Sequence, residues 1–529
     1  MQKVVRVLIF ALALVAISSA VISPAIAQDV AREDTVILDL DRTIADPTNF
    51  NWFTPGTKRQ HGAHQSMWEP LFILNYVTGE IEPWLGLSFT PNDSLDVWTL
   101  SLRDGVMWSD GEAFNADDVV FTINMLLGDE TSVLTEAASM QQWVESVEKV
   151  DDLTVQFNLL AANPRFQLDY FSVRIFNSLL IMPEHVWAGQ DPFTFSFYDE
   201  DQGWPIGTGP YKLTSTETNR TVWDRHDDWW GASSGFMELP EPLRLVWVSS
   251  GSEENRAQLL TNNQLDIGHN VTLGAFEVIQ ARNNNVISWQ SDLPYAWPDP
   301  CPRQLDINTT IAPWDSPSMR QALNLIIDRN QIVAVAYEGT TSPSQTMFVQ
   351  YGSMDAFISA VVDAGYGLSA SADVEAAQAM IEAEGWALNN RGIYEKDGDL
   401  LTADVIVNNS STEYTRTVDV VVEQLIRAGI DAVARPVDNS TFWGSAAPTG
   451  DYTIAYGWLS CSSVNEPWAS MNRYTTRFVV PVGQESPGIN NTGRWDTENA
   501  AAYTEIVDGM GTRELNDPEI PGLVAEAYS

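Results

Sequence analysis

The stretch 97–121 reads VWTLSLRDGVMWSDGEAFNADDVVF, and the order of its patterns indicates how the chain folds. Trp98, Leu100 and Leu102 alternate with polar residues, which is typical of a half-buried strand. Two Asp-Gly pairs then predict tight turns. Asn115 is a good N-cap, and two aspartates follow it in the first helical turn. This succession of strand, turn and helix predicts an α/β lobe.

The same alternation continues in the second half of the chain. One helix is predicted over 373–385 and another over 414–429, each ending at a glycine. The apolar run 452–458 then predicts a buried strand. The whole chain is therefore expected to be α/β.

Length and charge exclude several classes of protein. The 529 residues carry 28 Lys and Arg against 71 Asp and Glu, a formal net charge of −43, with 44% hydrophobic residues. The length predicts about three lobes, each large enough for a core. A charge this negative argues against nucleic acid and anionic lipid as partners, because both need clustered cations.

The first 27 residues are typical of a secretory signal peptide. Lys3 and Arg6 precede the apolar run 7–22, and Ala25 and Ala27 form a small-x-small cleavage site. We therefore expect export to the periplasm or to the outer face of the cytoplasmic membrane; an N-terminal membrane anchor is the alternative. No cysteine lies near the cleavage site, so a lipoprotein is not indicated.

Cys301 and Cys461 are the only two cysteines. An even count in an exported chain favours a disulfide, and two separate buried thiols are the alternative. No set of His and Cys has the spacing of a zinc site, so no metal is expected. The sequence GTG at 207–209 lacks the Lys and Ser/Thr of a phosphate loop, and no cofactor is expected.

Five groups of short motifs occur in order over residues 35–510. They are PWL at 83–85 with LRDGVMWSDG at 102–111 and ADDVVF at 116–121; PIGTGPY at 205–211; NTT at 308–310 with MRQA at 319–322 and IDR at 327–329; EGW at 384–386 with KDG at 396–398; and GDY at 450–452 with GW at 457–458 and NEP at 465–467. In this ordered set the chain resembles the family 5 extracellular solute-binding proteins of ABC importers, which bind oligopeptides, dipeptides, nickel or cello-oligosaccharides.

The resemblance implies a periplasmic-binding-protein-like fold, a Venus flytrap of two lobes in the large three-domain type, with mixed sheets and flanking helices. The implied domains are a first lobe at 28–75 plus 206–300, an inserted domain at 76–205, an opposing lobe at 301–495 and a helical segment at 496–529. Contacts made only in the closed state would drive closure over the ligand. Some members have a disulfide at the places of Cys301 and Cys461, which strengthens that pairing.

The end of the chain departs from the family pattern. Members usually continue from a late helix into a strand that rejoins the first lobe. No such segment follows the last helical pattern here, so the expectation is either a missing return segment, through truncation, or an unusual final segment.

The ligand is expected to be an oligosaccharide of the cello-oligosaccharide type. Peptide binders of the family often hold the peptide ammonium with an Asp just after the Gly-Trp of the late strand, but after Trp458 no carboxylate stands before Glu466. The 20 Trp point to sugar, because indole faces stack on sugar rings. The oligosaccharide-binding branch also shares the sequence WEPL, here at 68–71. An oligopeptide or dipeptide is the alternative.

Nine residues are candidates for contacts with the ligand. Indoles for stacking are Trp52, Trp68, Trp297, Trp458 and Trp468, and hydrogen-bonding groups are Asn51, Ser460, Ser462 and Asn465. By contrast, Trp84, Trp98, Trp108 and Trp386 lie within structural motifs and are expected in the core.

The resemblance implies a binding protein with no catalytic residue. It implies a monomer that delivers a small-molecule ligand to a membrane permease driven by ATPase subunits. A secreted glycoside hydrolase is a remote alternative, since two carboxylates about 5 Å or about 6.5–9.5 Å apart cleave glycosides. However, 71 acidic residues form such pairs by chance, and no nucleophile elbow or Ser-His-Asp order occurs.

Overall fold

The computed structural model describes residues 30–40, 43–44, 46–54, 64–175, 178–458 and 460–529. The predicted signal peptide lies outside these residues. No helix in the described ranges combines the length and the hydropathy that a membrane crossing requires.

Strands of the described residues form five sheets. In chain order they are β1 (Thr35–Leu40), β2 (Phe72–Leu74), β3 (Ile81–Pro83), β4 (Gly86–Pro91), β5 (Val97–Leu102), β6 (Val144–Asp151), β7 (Thr154–Leu159), β8 (Ser172–Val173), β9 (Tyr211–Glu217), β10 (Arg220–Arg225), β11 (Arg244–Ser249), β12 (Gln304–Ile307), β13 (Ala387–Leu388), β14 (Tyr394–Lys396), β15 (Asp399–Leu400), β16 (Thr402–Asn408), β17 (Asp431–Val437) and β18 (Ile454–Gly457).

Helices alternate with these strands, as the sequence predicts. They are α1 (Ala116–Leu127), α2 (Ala137–Trp143), α3 (Glu184–Trp187), α4 (Trp230–Ser233), α5 (Glu253–Thr261), α6 (Leu273–Arg282), α7 (Pro317–Ile326), α8 (Arg329–Val335), α9 (Asp355–Asp363), α10 (Val374–Ala383), α11 (Thr412–Arg427), α12 (Asn439–Thr441), α13 (Ala447–Thr449), α14 (Trp468–Met471), α15 (Glu498–Gly511) and α16 (Ile520–Ala527).

The stretch 97–121 folds as predicted. Its alternating residues form β5, and Asn115 begins α1 with a capping box. Asn115 Oδ1 accepts from the Asp117 amide at 2.7 Å, and Asp118 Oδ2 accepts from the Asn115 amide at 3.0 Å. Gly105 and Gly111 have φ angles of 79° and 99°, which glycine adopts without a Cβ clash.

The first lobe is built on a mixed sheet in the order β1-β11-β10-β9. Strands β1 and β11 are parallel, and β10 is antiparallel to both of its neighbours. Between β1 and β9 the chain forms the antiparallel sheet β4-β5-β7-β6 and the small sheet β3-β2-β8. One continuous buried cluster, with Trp68 and Trp223 at one end and Leu100 and Phe157 at the other, joins these sheets. The first lobe and the inserted sheets therefore share a core.

The opposing lobe has a separate core on its own sheet, in the order β12-β18-β16-β17. Strands β16, β17 and β18 are parallel, and β12 lies antiparallel at the edge. Leu323 of α7 and Val418 of α11 cover this sheet. A further cluster packs Val361 of α9 against Val507 of α15 and Val524 of α16. These two clusters do not merge with the first core, and a small cluster of Leu74, Leu168 and Val464 connects the inserted part to the opposing lobe.

Three of the four tryptophans predicted to lie in the core are buried there. Trp98, Trp108 and Trp386 are buried, which confirms the prediction for them. Trp84 is partly buried, and its Nε1 donates to Glu69 Oε1 at 3.1 Å.

Candidate functional site: an aromatic cavity between the lobes

A cavity of about 1680 Å³ lies between the first lobe and the opposing lobe. One wall is the segment 260–298, which follows the first-lobe sheet and includes α6. The other wall includes residues from α7, α8, α11 and β18 and from the segment 337–350, and the edge strand β12 lies between the walls. Typical small-ligand sites occupy roughly 300–1,000 Å³, so this space admits a ligand of several units.

The first-lobe wall presents two indoles to the cavity. Trp289 is 82% exposed and Trp297 is 65% exposed, and both line the cavity. The loop between them closes on itself, because the Gln290 amide donates to the Tyr295 carbonyl at 3.1 Å. The Tyr295 ring packs 5.3 Å from the ring of Phe276 in α6. The loop therefore holds large apolar surfaces open to a ligand instead of burying them.

The opposing wall contains a chain of hydrogen bonds that converges on one carboxylate oxygen. Tyr337 Oη donates to Glu413 Oε1 at 3.0 Å, and Arg303 Nε donates to the same oxygen at 2.8 Å. Tyr456 Oη lies 2.8 Å from Tyr337 Oη and donates to it, because the Tyr337 proton is used on Glu413. Glu413 stands in the first turn of α11, where the helix dipole stabilises a carboxylate.

Burial sets the protonation of this network. It raises the pKa of Tyr456 to about 12. Burial, with Tyr456 and Glu413 nearby, also raises the pKa of Tyr337 above its usual range. For Arg303, burial lowers the pKa, but the charges of Glu413 and Asp299 more than offset that effect and keep the pKa raised. At neutral pH both tyrosines are therefore donors and Arg303 is a cation.

Other charged groups on the cavity wall are bonded to protein atoms. These pairs are Arg303 with Asp299 at 3.2 Å, Arg320 with the carbonyls of Trp314 and Asp315 at 2.8 Å, Arg329 with Asn324 Oδ1 at 2.5 Å, Asp306 with Tyr452 at 3.0 Å and Thr492 at 2.5 Å, and Asp266 with Arg32 at 2.8 Å. Within the part of the chain that the structure describes, no three His, Cys, Asp or Glu side chains form a metal-binding group.

An aromatic cluster around Trp458 lies behind Arg303. The ring of Trp443 stacks on Trp458 at 5.7 Å, and Tyr414 meets Trp458 edge-on at 5.6 Å. The Arg303 guanidinium lies 5.3 Å from the centre of the Trp458 ring, within cation–π range. Trp458 is 38% exposed and does not line the cavity.

The disulfide between Cys301 and Cys461 confirms the predicted pair. Its Cα atoms lie 4.3 Å apart, and it joins the residues before β12 to those after β18. The bond holds the segment of Arg303, which lines the cavity, next to the segment of Trp458.

The chain matches a known protein family over most of its length. The model of the bacterial extracellular solute-binding proteins, family 5, matches residues 80–478. The chain belongs to this family. Family 5 proteins bind solutes for ABC importers outside the cytoplasm and are transport proteins, not enzymes, as the sequence motifs indicated.

Curated relatives of this family 5 protein match it at 25% identity. The nickel-binding periplasmic protein of Escherichia coli matches over 367 residues, 68% of this chain and 63% of the relative. The glutathione-binding protein GsiB of Pectobacterium atrosepticum matches over 261 residues, 48% of this chain and 46% of the relative. The matches thus span less than two thirds of either relative.

Solved structures share the fold of this family 5 protein. The periplasmic oligopeptide-binding protein of Thermotoga maritima matches with a TM-score of 0.79 at 23% identity, covering 94% of this chain and 88% of the other. A mannohexaose-bound structure of the Thermotoga maritima protein gives a TM-score of 0.75 with the same identity and coverage. The two-lobed binding-protein fold predicted from the motifs is therefore confirmed.

The structure brings one of the nine predicted contact residues, Trp297, to the cavity. Trp52 and Trp68 are instead buried in the first core, where both of their faces meet protein. Asn51 is also buried: its Nδ2 donates to the carbonyls of Pro192 and Phe195 at 2.7 and 2.9 Å, so it fastens a loop. The two indoles lie away from the cavity because they pack in the apolar core, and Asn51 does so because its amide is bonded to main-chain carbonyls.

The remaining four predicted residues follow Trp458 in the sequence and do not line the cavity. Ser460 Oγ donates to Gln304 Oε1 at 2.5 Å, so it orients a cavity side chain without lining the cavity. Ser462 is partly buried. Asn465 Nδ2 donates to the Gly79 carbonyl at 3.4 Å, and the Trp468 ring lies 4.5 Å below the Arg165 guanidinium. The last two therefore contact the inserted sheets.

Sequence reasoning missed Trp289, Tyr337, Glu413 and Tyr456. A signal existed for Trp289, because the stretch 286–300, VISWQSDLPYAWPDP, places two indoles among prolines and polar residues, where no regular element can bury them. The other three come from different elements, and only the fold brings them together.

Proposed function

We propose that this family 5 protein captures an oligosaccharide in the interlobe cavity and delivers it, as a monomer, to the permease of an ABC importer. The observation that supports this most is the lining of the cavity: open indoles on one wall and tyrosine, amide and hydroxyl groups on the other. Sugar rings present apolar faces to indoles and hydroxyls to polar groups.

The pairing of the charged groups favours a neutral ligand. Arg303 is bonded to Glu413 and Asp299, and Glu466 is bonded to Arg165 at 2.5 Å. Glu466 is 1% exposed and is therefore not available for a peptide ammonium. The carboxylate of Glu413 lines the cavity, but Arg303 already compensates its charge at 2.8 Å, so a peptide ammonium would have only a weakened partner on desolvation.

Ligand binding would begin on the open indoles and end with closure of the lobes. Contacts from the network of Tyr337 and Glu413, made only after closure, stabilise the closed state. The closed form is the one that docks on the permease. The fold accommodates such ligands, since the similar Thermotoga maritima protein has been solved with mannohexaose bound.

An oligopeptide ligand is the second candidate, and one observation favours it. Strand β12 is at the edge of its sheet and lines the cavity, so its main chain offers hydrogen bonds to an extended peptide. A similar structure is that of an oligopeptide-binding protein, and one relative binds glutathione.

A ligand screen of the purified chain tests the proposal. Thermal shift and Trp fluorescence would compare cello-, xylo- and manno-hexaose with di- to pentapeptides, glutathione and nickel. An oligosaccharide at about 100 times its Kd is expected to stabilise the fold by about 2.7 kcal/mol. Stabilisation by peptides alone would overturn the oligosaccharide assignment.

A pair of substitutions tests whether the ligand binds in this cavity. Trp297→Ala should weaken binding of any oligosaccharide found. Phe193→Ala removes another exposed aromatic ring, 45% exposed, that does not line the cavity, and should leave Kd unchanged. Equal effects of the two substitutions would place the ligand elsewhere.

A further inference from the structure

Glu413 presents one oxygen to protein donors and the other to the cavity. Both of its side-chain hydrogen bonds, from Arg303 and Tyr337, end on Oε1. In the ranges that the structure describes, no donor contacts Oε2. The side chain is 32% exposed and lines the cavity, so Oε2 is the oxygen that remains available to a ligand.

The fixed position of this carboxylate makes it a suitable anchor. The rigid start of α11 holds its backbone, and Thr417 Oγ1 donates to the Glu413 carbonyl at 2.8 Å one turn later. Two donors on Oε1 fix the plane of the carboxylate and hence the direction of Oε2. A group that is already oriented binds a ligand without the entropy cost of ordering it.

A donor from the ligand must meet Oε2 when the lobes close, because a buried carboxylate oxygen without a partner is destabilising. A neutral hydroxyl fits better than a second cation, since the Arg303 guanidinium already compensates the charge at 2.8 Å. We infer that Glu413 Oε2 accepts a hydrogen bond from a hydroxyl of the ligand and so determines specificity for polyhydroxylated ligands. This inference rests on the proposed oligosaccharide function.

Glu413→Gln is the matched test of this role. The amide oxygen can keep the bonds of Arg303 and Tyr337, while the NH₂ group replaces the acceptor at Oε2. Glu423→Gln is the control, because Glu423 lies on the same helix, is 62% exposed and does not line the cavity. Calorimetry with cello-, xylo- and manno-hexaose would give Kd for the wild type and both variants.

We expect Glu413→Gln to raise the Kd for the bound hexaose by about 10- to 100-fold, the range for a hydrogen bond to a charged group, and Glu423→Gln to leave it unchanged. The melting temperature without ligand should stay the same in Glu423→Gln and fall in Glu413→Gln, because Arg303 loses the charge of one carboxylate partner. Among monodeoxy analogues of the hexaose, one should bind the wild type and Glu413→Gln equally, because it lacks the hydroxyl that Oε2 accepts.

The outcomes separate the two proposals. If a hexaose binds the wild type and Glu413→Gln equally, the role of Glu413 is overturned and the oligosaccharide function stands. If only peptides bind the wild type and Glu413→Gln weakens them, Oε2 accepts an ammonium or amide, and both the oligosaccharide function and the hydroxyl assignment fall. If neither panel binds, both proposals fall.

Discussion

The tryptophans of the first core and those of the cavity wall are the same residue in opposite surroundings. Trp68 is 3% exposed; its Nε1 donates to the Ile206 carbonyl at 3.0 Å, and its face stacks on Phe197 at 6.2 Å. Trp289 and Trp297 are 82% and 65% exposed, and their faces have no such cover. The difference shows that the number of tryptophans does not locate a binding site. A binding site is located by indole faces that no protein atom covers.

The largest expected effect is the loss of a core indole. Trp68→Ala should reduce the free energy of unfolding by about 3–5 kcal/mol, because it removes a large buried ring and leaves a cavity among packed aromatics. Urea unfolding followed by circular dichroism measures the change. Trp289→Ala, at the cavity wall, is the control and should change stability by less than about 0.5 kcal/mol. Similar losses of unfolding free energy in both variants would contradict the distinction between core and cavity-wall tryptophans.

A second prediction concerns the acceptor that the core indoles share. Trp84 Nε1 and Trp230 Nε1 donate to the two oxygens of Glu69 at 3.1 and 2.8 Å, and burial raises the pKa of this carboxyl from 4.5 to about 7. The folded state thus holds a proton that the unfolded chain releases. The contribution of Glu69 to stability is full below pH 4.5 and is lost as the pH rises to about 7.

Glu69→Gln should remove this part of the pH dependence. Between pH 4.5 and pH 8 the wild type should lose on the order of 2–3 kcal/mol more stability than the variant. Urea unfolding at several pH values measures both slopes, and the other carboxylates cancel in the difference. Parallel slopes would show that Glu69 does not hold its proton in the folded state.

The smallest effect is expected at the cavity wall, and only in binding. Trp289→Ala and Trp297→Ala should each raise the Kd for a bound oligosaccharide by about 3- to 10-fold, which corresponds to an aromatic contact of about 0.5–1.5 kcal/mol. Fluorescence titration of each variant measures this change. An unchanged Kd in both variants would show that the two indoles do not contact the ligand. The core and cavity-wall tryptophans would then differ only in their effect on stability.

The local structure was predictable because nearby residues determine it. The capping box at Asn115 depends on residues within one helical turn, and the alternation in β5 depends on its own side chains. The disulfide was predictable because only two cysteines exist. The motif order was sufficient to predict the family and the fold.

The site was less predictable, because burial depends on distant residues. Nothing near Trp52 or Trp68 shows that they are buried; the segments that cover them come from the inserted sheets and from residues 195–223. The network on Glu413 joins residues from four separate segments, and a single sequence does not show which of them meet.

The disulfide has a consequence for how the protein responds to proteases. It joins residues 160 positions apart, so the segment from Cys301 to Cys461 is a covalently closed ring that contains the sheet and main core of the opposing lobe. A single cut inside the ring, for example in a surface loop, leaves both fragments attached to each other and to the rest of the chain. Such a nicked molecule would run as one species until a reductant separates it into two.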